Sequence, residues 1–189
     1  MNAILTTGRL SFEPITRSDI DILTELDSDP EVMRFIDRLP TPRKAIASQV
    51  EGILAEYERT PGFGQWVARN RDSGDFLGWF ALRIGDEPGH GTLGYRLRRT
   101  AWGRGLASEG GRGLIDYGFA DRGLDRITAD TMSVNERSRR VMAAVGMRYL
   151  RTYHEQFDDP LPGTELGEVE YQITRAEWQS RRSPSTTLG

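Results

Sequence analysis

The stretch WGRGLASEGGRGL, residues 102–114, puts five glycines into thirteen residues at the point where a helix is due to open. An interior helical glycine costs roughly 1 kcal/mol relative to alanine, so backbone this bare needs a reason. The residues before it, 92–97, alternate as a strand does, and those after it, 107–121, repeat as an amphipathic helix. Arg98, Arg99 and Arg104 crowd the turn between them. A helix N-terminus offers unpaired N–H groups and a partial positive charge, which together favour a phosphate. Glycine removes the Cβ that would hold such a ligand off the backbone. A tight strand-to-helix turn with surface arginines is the other reading that these residues leave open.

Other phosphate and nucleophile motifs fit less well. A P-loop needs Gly-Lys-Ser/Thr, and the only lysine, Lys44, lies far upstream in TPRKA. A dinucleotide fingerprint needs its glycines directly after the strand, but RRTAW intervenes and Ser108 stands where the third glycine belongs. Asp125, about 20 residues on, sits where a ribose-binding acid would, so a nicotinamide-dependent oxidoreductase is weakened and not removed. A nucleophile elbow needs G-x-S-x-G; GLASEG is one residue too long, and no histidine is placed for a triad.

Working outward, residues 10–15 (LSFEPI) alternate as a first strand, and Ser18 is a plausible N-cap for a helix over 19–27. SDPEVMRFIDRLP, residues 28–40, reads as irregular with exposed apolar side chains. A helix over 42–58 sets Ile46, Val50, Ile53, Leu54 and Tyr57 on one face. Strands follow at 65–69, 76–84 and 92–97, separated by the turn signals RDSGD and GDEPGHG. After the helix at 107–121 come a strand at 126–131, a helix at 136–145 stopped by Gly146, and strands at 147–154 and 169–174 around a long loop. No repeat or linker divides this mixed α/β order, which predicts one domain over 1–182 and a disordered polar tail over 183–189.

Composition narrows the classes. A chain of 189 residues with formal charge −3 and interspersed signs does not read as a nucleic-acid binder. The absence of cysteine removes disulfides, thiolate nucleophiles and cysteine metal sites, and His90 and His154 are too few and too far apart to suggest a metal centre. The N-terminus lacks a basic start and a sustained apolar run, and no run reaches the 18 or so residues needed to span a membrane. The expectation is a soluble cytoplasmic protein with no membrane or nucleic-acid partner.

With this context, LGYRLRRTAWGRGLASEGGRGLIDYGF, residues 93–119, resembles the acyl-CoA-binding core of the GNAT superfamily of N-acetyltransferases. That family's Q/R-x-x-G-x-G/A motif corresponds to Trp102, Gly103, Arg104, Gly105, Leu106 and Ala107, with Trp102 departing at the first position. SVNERSRRVMAAVGMRY, residues 133–149, is similar to the N-x-x-S element of the branch resembling ribosomal-protein N-terminal acetyltransferases, through Asn135, Ser138 and Gly146. GRLSFEPIT and EYQITRAEW extend the resemblance over residues 8–178.

The resemblance implies a GNAT acyltransferase fold: a mixed, mostly antiparallel sheet with a V-shaped splay between strands 92–97 and 126–131, flanked by about four helices. It implies acetyl-CoA as co-substrate, with the pantetheine arm in the V along Tyr95, Arg96 and Leu97. The pyrophosphate would lie on the N–H groups of Gly103, Arg104, Gly105, Leu106, Ala107 and Ser108. By the same resemblance, the Leu97 N–H polarises the thioester, Asn135 holds the pantetheine and Ser138 protonates the departing thiolate. Transfer would go by direct attack in a ternary complex to a primary amine, a protein N-terminus or a small cationic molecule. The enzyme would be a monomer or homodimer.

Taken singly, Asn135 reads as a helix N-cap, Ser138 as a first-turn serine, and Arg137, Arg139 and Arg140 as a solvated face. No general base is assigned, because Thr92 stands where some relatives carry glutamate; His90, Tyr153 and Glu155 are candidates. The loop HEQFDDPLPGTELGEVE, residues 154–170, carries Glu155, Asp158, Asp159, Glu165, Glu168 and Glu170 without a lysine or arginine, a charge suited to drawing in a cationic amine. A non-catalytic module of this fold, sensing CoA or binding a partner, is the remaining alternative.

Overall fold

A computed structural model of the chain describes residues 3–182, so the tail predicted at 183–189 lies outside the described residues. The chain opens with a hairpin, β1 (Leu5–Thr6) and β2 (Leu10–Pro14). A short 3-10 turn then leads into α1 (Ile20–Ser28). Ser18, the expected cap, falls inside that turn. Thr16 caps that turn instead: its N–H and Oγ1 both donate to the Asp19 carboxylate, at 2.9 and 2.8 Å, and Asp19 in turn stands at the N-cap of α1.

The segment expected to be irregular contains α2 (Pro30–Met33), capped by Asp29, which accepts from the Glu31 N–H at 3.0 Å. Val32 and Met33 are buried there, and Ile36 and Leu39 remain exposed. Then follow α3 (Arg43–Arg59), β3 (Gly64–Asn70), β4 (Phe76–Ile84), β5 (His90–Leu97), α4 (Leu106–Ala120), β6 (Arg126–Met132) and α5 (Glu136–Ala144). The chain closes with β7 (Arg148–Tyr153), β8 (Glu168–Thr174) and α6 (Arg175–Arg182). Six helices therefore stand among the described residues where about four were expected. The additions are the one-turn α2 and the terminal α6, which begins with no intervening loop after β8.

The strands form one sheet in the order β1-β2-β3-β4-β5-β6-β8-β7. Every neighbouring pair is antiparallel except β5 and β6, which run parallel. That parallel contact holds for three pairs only: His90 with Arg126, Gly91 with Ile127, and Thr92 with Thr128. Beyond Thr92 the strands part, and the predicted V lies there.

Alternation along each strand sorts its side chains onto two faces. Phe12, Trp66, Phe80, Leu82, Leu93, Leu97 and Ile127 pack with Leu106, Leu114 and Ile115 of α4 in one core. Ile15 and Val67 pack with Leu23, Leu26, Ile46, Val50 and Ile53 of α1 and α3 in the other. Glycine lets α4 lie close to the sheet: a Cβ on Gly110 would stand 2.4 Å from the Phe80 ring. No helix among the described residues is long and apolar enough to cross a membrane.

Candidate active site

The V has a chemically incomplete wall. The Arg98 N–H donates to the Leu77 carbonyl at 2.9 Å, which fixes the phase of the β4–β5 ladder. In an antiparallel pair the backbone groups alternate in direction. Those of Gly94 and Arg96 therefore face β4, and those of Tyr95 and Leu97 face the V, where β6 no longer pairs. The Leu97 carbonyl accepts from Trp102 Nε1 at 2.8 Å. The Tyr95 peptide and the Leu97 N–H stay on the open edge, and an amide-bearing ligand would complete them.

The glycine turn closes one end of this wall. Gly103 and Gly105 hold φ at 70° and 74°, a left-handed conformation that side-chain-bearing residues rarely adopt. A Cβ on Gly103 would meet nothing within 4 Å, and one on Gly105 only Arg9 Nη2 at 3.7 Å. The turn is therefore bare toward open space, not toward packed protein, and α4 begins immediately after it with the N–H groups of its first turn unpaired. This shape and polarity fit a pyrophosphate. Glu109, an acid in that first turn, would oppose an anion. It is tied off by Thr7 Oγ1 at 2.6 Å and by the Arg9 N–H and Nε at 2.7 and 2.6 Å. Burial works against its charge, but these bonds outweigh it and hold its carboxyl below the usual range. Trp102 also carries the Arg137 guanidinium 4.6 Å above its ring centroid, linking the turn to α5.

Across the V, Asn135 caps α5: its Oδ1 accepts from the Ser138 N–H at 3.3 Å and its Nδ2 donates to Thr131 Oγ1 at 3.0 Å. The cap reading of Asn135 therefore holds alongside any role toward a ligand. Ser138 Oγ lies 2.9 Å from the Tyr95 hydroxyl, so the structure brings together two residues from opposite walls. Burial pushes the Tyr95 phenol up to about 12, the bond to Ser138 acting the other way.

Arg96, expected along the pantetheine, is not brought to the V. Its backbone faces β4, and its side chain turns to the opposite face. There it pairs with the buried Asp27 of α1 and lies 5.3 Å over the Trp79 ring. The carboxylates divide in a similar way. Asp159 is paired at 3.2 Å with Arg38, which also donates to the Pro160 carbonyl and pins the acidic loop to the α2–α3 segment. Glu170 is held at 2.6 Å by Arg151.

Of the candidate bases, His90 sits at the closed end of the V with Nε2 at 2.8 Å from Thr128 Oγ1. Burial and Arg126 lower its pKa. Enclosure and the surrounding acids push Tyr153 up to about 12. A residue that sequence reasoning missed is better placed. Asp130 stands on β6 two positions past the last pair with β5, on the same face as Thr128 and opposite Glu170 in the register. Partial desolvation, then Glu170 and Glu155, raise its carboxyl above the ordinary range, while the residue as a whole stays exposed. Glu168 is raised similarly by enclosure, Asp130 and Glu155. The alternation in ITADT, residues 127–131, marks Asp130 as polar in a central strand, but only the strand register aims it at the V.

Residues 9–148 match the Acetyltransferase (GNAT) domain family. The chain is 37% identical over 194 residues to the FsC-acetyl coenzyme A-N(2)-transacetylase of Aspergillus fumigatus, covering 97% of this chain and 81% of that one. Among solved structures, a GNAT-family acetyltransferase from Bacillus anthracis superposes with a TM-score of 0.77 at 20% identity, over 91% of this chain and 98% of the other. The ribosomal alpha-N-protein acetyltransferase RimL in complex with coenzyme A gives 0.76 at 17% identity, over 92% and 98%. The splayed seam, the bare glycine turn and these likenesses agree: the chain is an acetyltransferase and belongs to the Acetyltransferase (GNAT) domain family.

Proposed function

We propose that this enzyme transfers the acetyl group of acetyl-CoA to a primary amine that approaches from the face carrying Asp130. The observation that carries this reading is the three-pair β5–β6 seam, which leaves the Tyr95–Leu97 edge unpaired beside the glycine turn. Acetyl-CoA supplies an activated acyl group on a thiol leaving group. The N–H groups from Gly103 to Ser108 hold its phosphates, the Tyr95 and Leu97 backbone holds its amide-rich arm, and the Leu97 N–H is the oxyanion donor. Asn135 secures the α5 turn that faces them.

Magnitudes refine the part played by Ser138. An ordinary thiol ionises near 8.5, while the Tyr95 phenol is pushed up to about 12. The phenol is thus too weak an acid to surrender its proton to a thiolate outright. The Tyr95–Ser138 pair works by keeping a hydrogen-bond donor aimed at the leaving sulfur. Asp130 takes the proton of the incoming ammonium, and the second proton that the nitrogen loses as the amide forms goes to the departing thiolate, which leaves as the thiol. The raised Asp130 carboxyl suits its role better than an ordinary aspartate, since a base poised closer to working pH loses less to mismatch.

An α-amine, with pKa near 8, needs less help than a lysine amine near 10.4. Two related names specify a nitrogen acceptor, N(2) in the Aspergillus enzyme and a protein alpha-nitrogen in RimL, and favour an α-amine here as well. The test is thiol release from acetyl-CoA over a panel of amines, beside calorimetric titration with acetyl-CoA and NAD. Binding of acetyl-CoA without release for any amine returns the chain to the non-catalytic reading, and binding of NAD alone overturns both.

A further inference from the structure

Of the three arginines that crowd the glycine turn in the sequence, two are committed elsewhere. Arg98 pairs with Glu25 of α1 at 2.7 Å, and Arg99 with Asp29, the cap of α2, at 3.3 Å. Arg104 is exposed, and no side-chain partner fixes it among the described residues. The guanidinium that the fold does hold at the turn comes from the opposite wall of the V. It belongs to Arg137, the second residue of α5, and lies 4.6 Å from the centroid of the Trp102 ring.

That ring is itself fixed. Trp102 directly precedes Gly103, and its Nε1 donates to the Leu97 carbonyl at 2.8 Å. The ring therefore stands between the unpaired β5 edge and the bare turn. The next residue of α5, Ser138, meets Tyr95, which lies nearer the β5–β6 seam. Two successive residues of α5 thus reach across the V at two levels. Ser138 is at the inner level, and Arg137 is where the edge gives way to the turn.

An aromatic face positions a guanidinium without neutralising it. The acids in the first turns of the two helices are already occupied: Glu136 by Arg140 at 2.6 Å, and Glu109 by Arg9 at 2.6 Å. No carboxylate pairs with Arg137 among the described residues. Its neighbour Arg139 turns back to its own loop, donating to the Ser133 carbonyl at 3.0 Å. One exposed arginine of α5 is therefore aimed at the glycine turn with its full charge, and a guanidinium fork matches the oxygens of a phosphate. The departure of Trp102 from the glutamine or arginine of the motif gains a purpose here. Either of those would bring a polar group of its own, whereas tryptophan holds one lent by α5.

We propose that Arg137, held ready by Trp102, is a ligand of the coenzyme's pyrophosphate and sets the preference for the phosphorylated coenzyme over simple pantetheine thioesters. The N–H groups of the turn meet the diphosphate from one side, and the guanidinium meets it from α5. This role rests on the acetyl-CoA reading above.

Calorimetric titration with CoA and with dephospho-CoA, which lacks the 3′-phosphate and keeps the pyrophosphate, tests the assignment. Arg137→Ala should weaken both by the same factor, about tenfold, the scale of one hydrogen-bonded contact to a charged group. It should also flatten the salt dependence of the affinity. Arg140→Ala removes an equal charge from the same helix and should leave both affinities unchanged. Arg104→Ala should cost less than Arg137→Ala, because ordering a side chain that nothing holds offsets its contact. S-acetylpantetheine carries no phosphate, so its turnover with any amine that the enzyme accepts should be equal in wild type and Arg137→Ala. Unchanged affinity in Arg137→Ala overturns the inference. So does a loss confined to CoA, which moves the guanidinium to the 3′-phosphate. An equal loss in Arg140→Ala reduces the effect to general charge, and a matching loss with S-acetylpantetheine reduces it to the shape of α5; either overturns it too. A wild type that binds neither CoA nor dephospho-CoA overturns the coenzyme reading instead.

Discussion

The Tyr95 hydroxyl stands 2.9 Å from Ser138 Oγ, joining the β5 wall of the V to the first turn of α5. Each side chain orients the other, so removing either should cost about as much as removing both. Ser138→Ala and Tyr95→Phe should each lower kcat about tenfold, and the double variant should fall little further. Acetyl-CoA affinity should hold, because the Ser138 N–H that Asn135 caps survives both changes. Multiplicative losses in the double variant would show that the two act independently.

The glycine turn separates strain from ligand contact. Gly105 sits at φ 74° with open space around its missing Cβ. Gly105→Ala should therefore cost about 1–2 kcal/mol of stability from the left-handed conformation. It should also weaken acetyl-CoA binding in the folded protein, because the new methyl occupies the phosphate's approach. Full affinity in folded Gly105→Ala protein, measured by calorimetry, would place the pyrophosphate elsewhere.

Asp130 makes opposite predictions for activity and stability. Its folded pKa is raised, so the folded state holds the proton more tightly than the unfolded state does. Stability from this site is present at low pH and is lost as pH rises from the ordinary aspartate value through the raised one. At pH 8 the ionised group is a burden. Asp130→Asn should raise Tm there while lowering kcat/KM by roughly a hundredfold, the lower scale of general-base catalysis. A variant that loses neither activity nor the acid limb of the pH–rate profile would remove Asp130 from the reaction.

The acidic loop needs a finer test than its composition suggested. Asp159 already faces Arg38, and the two side chains are 76% and 49% exposed. The pair therefore contributes at most about 1 kcal/mol and anchors more than it attracts. Glu155→Gln with Asp158→Asn should raise the acceptor KM and flatten its salt dependence, whereas Asp159→Asn alone should do less. Steady-state kinetics at low and high salt will distinguish them.

Where the chain punctuates itself, its elements were legible. β4 begins and ends at the residues predicted, because RDSGD and GDEPGHG bracket a largely apolar run interrupted only near its end by Arg83. Competition between adjacent candidates was not legible. Ser18 and Thr16 are both good caps, and the box from Thr16 to Asp19 decides between them only once the turn has formed. The terminal α6 starts where β8 stops; the Thr174 Oγ1 and N–H bonds to Glu177, at 2.9 and 2.8 Å, set its first turn. In the site, the glycine motif and the Asn135–Ser138 spacing were visible because they are local. Arg96 and Asp130 take their places from strand register, which no single strand contains.

The three-pair contact between β5 and β6 also divides the protein in time. It is the sheet's shortest junction apart from the terminal hairpin, with five strands on one side and three on the other. Amide hydrogen exchange follows local opening, so the unladdered Leu97 N–H should trade its proton for deuterium early, well before the N–H of Arg96, which the β4 ladder protects. A molecule lying along that edge would slow exchange at Leu97 and damp the opening of the halves against each other. The enzyme would then be stitched together by its own substrate at the start of each cycle and loosened as the product leaves.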